Sequence, residues 1–260
     1  MTSISAGTMI ESLSHIMLIA SGKGGVGKTW FSISYAHGLA KKGKKVLLLD
    51  GDIGLANIDI QLGIMPQKDL THYINGECLL KDCVIPYGEG GFDILVGRSG
   101  CSQLSSLSVA RMADFQSEIT QLADRYDQVI IDLGAGLGST VQKLSQLASQ
   151  CIVITTDEPS SMTDAYAVIK YLRNYLSHIR VHIVVNQVLG IADGEKIYQN
   201  FKKVCLNFMG YTPELAGIIP KDSHVTDAIR NQQPLFQRHP HAMAATQIEK
   251  IIWNMSKNCK

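Results

Sequence analysis

The chain is 260 residues long, 45% hydrophobic and 18% charged, with a formal net charge of +1. That length buries a substantial core, most simply as one α/β domain, and the near-neutral balance gives no support to a bulk nucleic-acid binder. Six scattered cysteines (Cys78, Cys83, Cys101, Cys151, Cys205, Cys259) form no CxxC pair, which argues against a zinc site and reads as reduced thiols of a cytosolic protein.

Residues 1–15 have neither a basic start nor a long apolar run, and are expected to be a flexible leader to the domain. No later apolar stretch approaches the roughly 18 residues of a membrane span. Short runs rich in Val, Ile and Leu then recur in chain order: IMLIA from 16, KVLLLD from 45, FDILVG from 92, QVIIDL from 128, CIVITT from 151, VHIVVN from 181 and AGIIP from 216. They lack polar alternation, as strands buried on both faces do. Between them lie stretches with helical spacing, such as Val109, Met112, Ile119 and Leu122, or Ala167, Ile169 to Leu172 and Leu176. A last helix is expected over 241–258. Strands alternating with helices predict a single three-layer α/β/α domain over 1–260, with a mostly parallel central sheet.

In such a sheet ligands sit at the carboxyl ends of the strands, and the polar clusters of this sequence fall there. After the first run, Gly22 to Thr29 (GKGGVGKT) matches G-x-x-x-x-G-K-[ST]. Glycines at Gly22, Gly24, Gly25 and Gly27 let the backbone N–H groups of these residues and of Val26 wrap around phosphate oxygens, and the helix that follows points its positive end at them. Lys28 is expected to contact the β- and γ-phosphates and Thr29 to coordinate Mg²⁺. After the second run come two carboxylates, Asp50 and Asp52, in DGD; phosphoanhydride hydrolysis needs a positioned water and neutralised charge, although an Asp-Gly turn gives the same string. Asp132 closes QVIIDL, either as an acid facing the metal or as a cap of the next helix. Asn186 ends the sixth run, where it is either a base-reading amide or a turn residue.

Lys23 is not required by the plain phosphate loop. KGGVGKT resembles the deviant Walker A loop of the MinD/ParA ATPases, and with it the chain is similar to that family over nearly its whole length, implying a P-loop NTPase of the deviant Walker A (SIMIBI) type. The resemblance implies an ATP- and Mg²⁺-dependent ATPase that dimerises around two ATP molecules, with Lys23 reaching the partner's nucleotide. It further implies that Asp52 positions or deprotonates the attacking water, that Asp50 supports the magnesium shell, and that Asp132 holds Mg²⁺ through water ahead of a mobile GAGLGS segment. Asn186 would read the adenine edge, with Pro220 and Asp222 flanking the base, and Glu158 would lie at the dimer seam near the partner's nucleotide. Trp30, Asn57 and Gly134 complete the expected nucleotide contacts.

Within the family, DGDIGLANID lacks the proline and glutamine of plasmid-partition proteins, while DLGAGLGSTV and TTDEPSSMTDAYAVIKYL resemble the flagellar branch called FlhG or FleN. The resemblance therefore implies control of flagellar number or placement and protein partners of the flagellar or polar machinery, with a MinD-like division-site role or a DNA-binding partition role as alternatives. DNA is not expected as a partner: KKGKK at 41–45 reads as a solvated helix end. Many members of the branch open with D-Q-A-x-x-L-R, which residues 1–15 lack. Along the last helix Ala244, Ile248, Ile251, Ile252 and Met255 share one face; core packing is the expectation, and a membrane surface at the inner face of the cell membrane is the alternative use of such a stripe.

Overall fold

The computed structural model describes residues 15–52, 57–97 and 108–257. Eight strands form one sheet: β1 (Ile16–Ala20), β2 (Val46–Gly51), β3 (Ile85–Tyr87), β4 (Phe92–Leu95), β5 (Gln128–Leu133), β6 (Gln150–Thr155), β7 (Arg180–Val188) and β8 (Glu214–Pro220). Their order is β3-β4-β2-β5-β1-β6-β7-β8, all neighbours pairing parallel except β3 with β4. β1 and β2 are buried throughout, as covering on both faces requires.

The helices are α1 (Lys28–Ala40), α2 (Ile58–Leu62), α3 (Leu70–Ile74), α4 (Val109–Ala123), α5 (Ser139–Ser145), α6 (Pro159–Tyr175), α7 (Ile191–Met209), α8 (Ser223–Arg230), α9 (Leu235–Arg238) and α10 (Met243–Lys257). Two separate apolar cores flank the sheet. One joins Phe115, Ile119, Leu144, Val168, Leu172 and Phe201 to the sheet; the other joins Phe31, Tyr35, Phe236, Ile248 and Ile252 to its opposite face. Each buried Ile or Phe of these layers stabilises the fold by roughly 1.5–3 kcal/mol relative to exposure.

The chain runs from β1 to one side of the sheet, through β2, β4 and β5, and then crosses to β6, β7 and β8 on the other. The turn after β1 therefore sits over the divide where the connections reverse, the place where open parallel sheets bind ligands.

Several expectations need correction. Val109 is 83% exposed, so the buried face of α4 begins at Met112. On α6 the inward residues are Ala165, Val168, Ile169 and Leu172, whereas Ala167 points outward. The three-residue β3 has no counterpart among the apolar runs. It is an edge strand carrying Pro86, a residue such edges tolerate. The last helix covers 243–257, and its apolar stripe is core: Ala244, Ile248, Ile251, Ile252 and Met255 are each at most 3% exposed. It approaches so closely that a Cβ on Gly38 of α1 would stand 2.5 Å from Ile252 Cδ1. That stripe is spent on the sheet, so membrane contact through it would require the helix to leave the domain. The leader 1–14, Cys101 and Cys259 lie outside the described residues.

Candidate nucleotide site

The turn leaving β1 becomes α1 without a side-chain cap: Gly27, at φ +89°, stands in the N-cap position. The first-turn N–H groups of α1 thus open toward the pole of the sheet where the polar clusters meet, the arrangement that favours an anion. Gly27 is obligatory by its backbone and by space, because a Cβ there would fall 2.4 Å from Trp30 Nε1 and 2.6 Å from Asn186 Nδ2. Gly24 and Gly25 differ, having open space where a side chain would stand.

Asp132 is the hub. It is the penultimate residue of β5 with 1% of its side chain exposed, and its carboxylate accepts from Thr29 Oγ1 at 2.7 Å and from Ser32 Oγ at 2.9 Å, with Lys28 Nζ at 3.6 Å. Burial pushes its pKa up, against the pull of Lys28 and the two hydroxyls. The helix-cap reading of Asp132 is excluded, since the N-cap of α5 is Gly138. Asp50 lies beside it as its Cα partner on β2. Its carboxylate accepts from three backbone N–H groups, Asp52 at 3.1 Å, Asn57 at 2.9 Å and Ile58 at 3.1 Å. Burial, then the neighbouring Asp132, raises the Asp50 pKa to about 7. Burial also raises that of Asp52. The Asp52 carboxylate reaches toward Gly134, where a Cβ would stand 3.2 Å from Oδ1. Asn57 is the N-cap residue of α2 and contributes its backbone N–H to this set.

Lys23 stands at the rim, its side chain 39% exposed, ion-paired to Glu158 and 3.0 Å from Ser160 Oγ. Both partners are at the start of α6. The loop is tied to the rest of the site by backbone and amide contacts: Gly136 N donates to Ser21 O at 2.9 Å, Asn186 Nδ2 to Val26 O at 2.8 Å and Gln187 Nε2 to Gly25 O at 3.4 Å. Asn186 is 1% exposed, and an N–H of its amide is engaged by the loop at Val26 O. Asp222 likewise has both carboxylate oxygens engaged, Oδ1 by His224 and Oδ2 by the N–H of Ala244, so it caps α8 and ties it to α10. Those contacts hold its pKa below the usual carboxylate range, against the opposing effect of burial. Pro220 ends β8 and is buried, and Trp30 is 8% exposed on α1.

Ser32, Ser160 and Gln187 were not among the expected site residues. Its spacing, four residues after Lys28 and so on the same side of α1, was the available signal for Ser32. Gln187 adopts φ +59°, which no residue pattern announces.

The Thr29 hydroxyl and the Asp132 carboxylate, 2.7 Å apart, are oxygen donors suited to a small hard cation. Among the described residues no group of three or more His, Cys, Asp or Glu could hold a metal alone. Mg²⁺ does not need one, since it takes one or two carboxylates and completes its shell with phosphate oxygens and waters. Thr29 and Asp132 therefore fit as its protein ligands, beside an N–H-lined turn that fits phosphates. No helix among the described residues is long and apolar enough to cross a membrane.

The family model described as "AAA domain" matches residues 14–185. The chain is 33% identical over 237 residues to the antiactivator FleN of Pseudomonas aeruginosa, covering 91% of this chain and 84% of the relative. It is 32% identical over 234 residues to the flagellum site-determining protein YlxH of Helicobacter pylori, covering 90% and 79%. Among solved structures, the cell division ATPase MinD of Pyrococcus furiosus superposes with a TM-score of 0.80 at 24% identity, over 94% of this chain and 99% of the other. The septum site-determining protein MinD of Pyrococcus horikoshii, solved with Mg-ADP, gives 0.79 at 22% identity over 95% and 97%.

Proposed function

The chain belongs to the MinD/ParA family of AAA-domain ATPases, and from that premise we propose that it is an ATP-driven dimerisation switch controlling the number or placement of flagella. The observation that carries the dimer is Lys23. Its ammonium is at the rim, outside the turn that Lys28 already serves, and aims along the surface toward α6. In the proposed dimer this cation exchanges Glu158 and Ser160 for the phosphates held by a second copy. The flagellar reading is supported by the 33% and 32% identity to FleN and YlxH and by the DLGAG and TTDEPSS strings.

The chemistry follows from the side chains present. Backbone N–H groups of residues 22–29 and Lys28 bind the triphosphate and oppose the charge that grows on it. When bound, Mg²⁺ would supply charge neutralisation on the triphosphate; Thr29 and Asp132 would hold it, with Asp50 behind them. Asp52 orients the attacking water, or takes its proton as the water oxygen bonds to phosphorus and the bond to the bridging oxygen breaks. Its raised pKa favours that transfer. The Gly134–Gly138 segment, linked to the loop through Gly136 and Ser21, is placed to respond to the γ-phosphate.

A DNA-binding role finds no support in the basic run. Lys41 lies 4.0 Å from Glu249, Lys44 lies 3.9 Å from Asp127, and Lys45 stacks 5.1 Å over Tyr126. All three are remote from the site, before the amino end of β2. We place the protein in the cytoplasm, with partners among the flagellar or polar machinery.

Light scattering on wild type, Lys23→Ala and Asp52→Ala, each with ADP and with ATP plus Mg²⁺, tests the switch. The expected result is a dimer with ATP only, absent in Lys23→Ala and persistent in Asp52→Ala. An unchanged mass for wild type under every condition would sink it.

A further inference from the structure

A second cavity lies at the opposite pole of the sheet from the phosphate turn. Its volume is about 570 Å³, and it opens between the amino ends of β7 and β8 and the C-terminal turns of α6 and α10. Its walls carry Arg173, Arg180 and Lys257, together with His178 and His182, against a single acid, Glu214.

Part of this charge has a local structural use. Arg173 and Lys257 occupy the last turns of α6 and α10, where a cation offsets the carbonyl ends of the helices. Arg173 Nη1 donates to Ser177 O at 3.2 Å and its guanidinium lies 4.3 Å from the Tyr211 ring centre, while Lys257 Nζ lies 4.9 Å over Trp253. Those contacts aim the cations without neutralising them, since neither carbonyl oxygen nor ring bears a formal charge.

The independent observation is His182. Its side chain is 4% exposed, and its Nδ1 has no hydrogen-bond partner, standing 3.7 Å from Glu214 Oε2. A buried polar atom without a partner costs about 1–3 kcal/mol, so native folds retain one where something completes it. Burial holds the imidazole below its usual pKa; neutral, it offers one donor and one acceptor while the flanking guanidinium and ammonium groups supply the charge.

We propose that this cavity is a binding site for a phosphate-bearing anion, held by Arg173 and Lys257 and hydrogen-bonded by His182, separate from the nucleotide turn. Arginine forks and lysine point charges are the side chains that recognise phosphate oxygens. A soluble phosphate monoester and a phospholipid headgroup present the same oxygens.

The test uses the full chain with Mg-ADP present in excess, following the imidazole ¹⁵N resonances of His182 and His178 while methyl phosphate is added. The His182 signal reports this pole whether or not the nucleotide turn is filled, so a failure of the ATPase reading leaves it interpretable. The expected result is a saturable shift at His182, with affinity weakened at least roughly tenfold in Arg173→Gln and in Lys257→Gln. Flotation with phosphatidylglycerol vesicles against phosphatidylcholine vesicles assigns the source. Lysine-257-dependent flotation on the anionic vesicles alone points to a headgroup, and saturable methyl phosphate binding without flotation points to a soluble monoester. No saturable shift together with no flotation overturns the site, as does binding that survives both substitutions.

Discussion

Asp50 and Asp132 are Cα partners on neighbouring parallel strands, two carboxylates each 1% exposed at the same level of the sheet. Among the described residues only Asp132 of the two has a cation within 4 Å, Lys28; Asp50 accepts from three backbone N–H groups. Burial first, and the neighbouring Asp132 second, raise the Asp50 pKa to about 7. A carboxyl whose folded pKa is raised binds its proton more tightly folded than unfolded. Its stabilising contribution is present below pH about 4 and is lost as pH rises through about 7. In Asp50→Asn that part of the pH dependence is expected to vanish from urea unfolding curves. Binding of Mg²⁺ and nucleotide should also release protons near pH 7 in wild type and fewer in Asp50→Asn, read by calorimetry in buffers of different ionisation enthalpy.

Asn186 distinguishes two roles by a single substitution. Its amide donates to Val26 O across 160 residues of sequence, so Asn186→Ala frees the loop and leaves that carbonyl unpaired. Affinity should fall about tenfold, from about 1–2 kcal/mol, and by the same factor for ATP and GTP. A change in the ratio of the two affinities would instead assign the residue to the base.

His37 sits in α1 between Phe92 and Phe236, with ring centres at 6.4 and 5.6 Å, and its Nδ1 lacks a partner. Burial first, and Lys41 second, lower its pKa to about 4. The unfolded chain takes up this proton near pH 6.5 and the folded one does not, so stability is lost as pH falls from about 6.5 toward 4, by up to about 3 kcal/mol. His37→Gln should lose less stability than wild type between pH 7 and pH 4.5 in urea titrations.

Ile252 tests the assignment of α10 to the core. It is 2% exposed and abuts Gly38 of α1. Ile252→Ala is expected to cost about 2–5 kcal/mol, measured by chemical denaturation without any lipid. A change below about 0.5 kcal/mol would return the stripe to a surface role.

The long β-strands and the phosphate turn were legible because each is a local pattern: an unbroken apolar run, or a glycine spacing that only a close backbone approach explains. β3 was not, since three residues with a proline hold no period. On α6 Ile169 and Leu172 face inward as their spacing predicts, but Ala167 does not, because alanine is compatible with either side and only packing separates Ala165 from Ala167. Among the site residues, Thr29, Lys28 and Asp132 meet as the strand order requires. The engagements of Asn186 with Val26 and of Asp222 with Ala244 join segments 160 and 22 residues apart. Composition carries no trace of such pairings. The thiols of Cys78 and Cys83 stand 3.4 Å apart although their spacing forms no recognised motif.

Gly22, the first residue of the phosphate turn, touches α6 with no room between them: a Cβ there would lie 2.2 Å from the carbonyl carbon of Asp164. Interiors packed this tightly transmit displacement instead of absorbing it. The turn and the helix thus form a mechanical couple without slack, and a shift of the turn by a few tenths of an ångström must be answered by α6. The outer face of that helix becomes a gauge of what the turn holds, legible to any protein that rests against it.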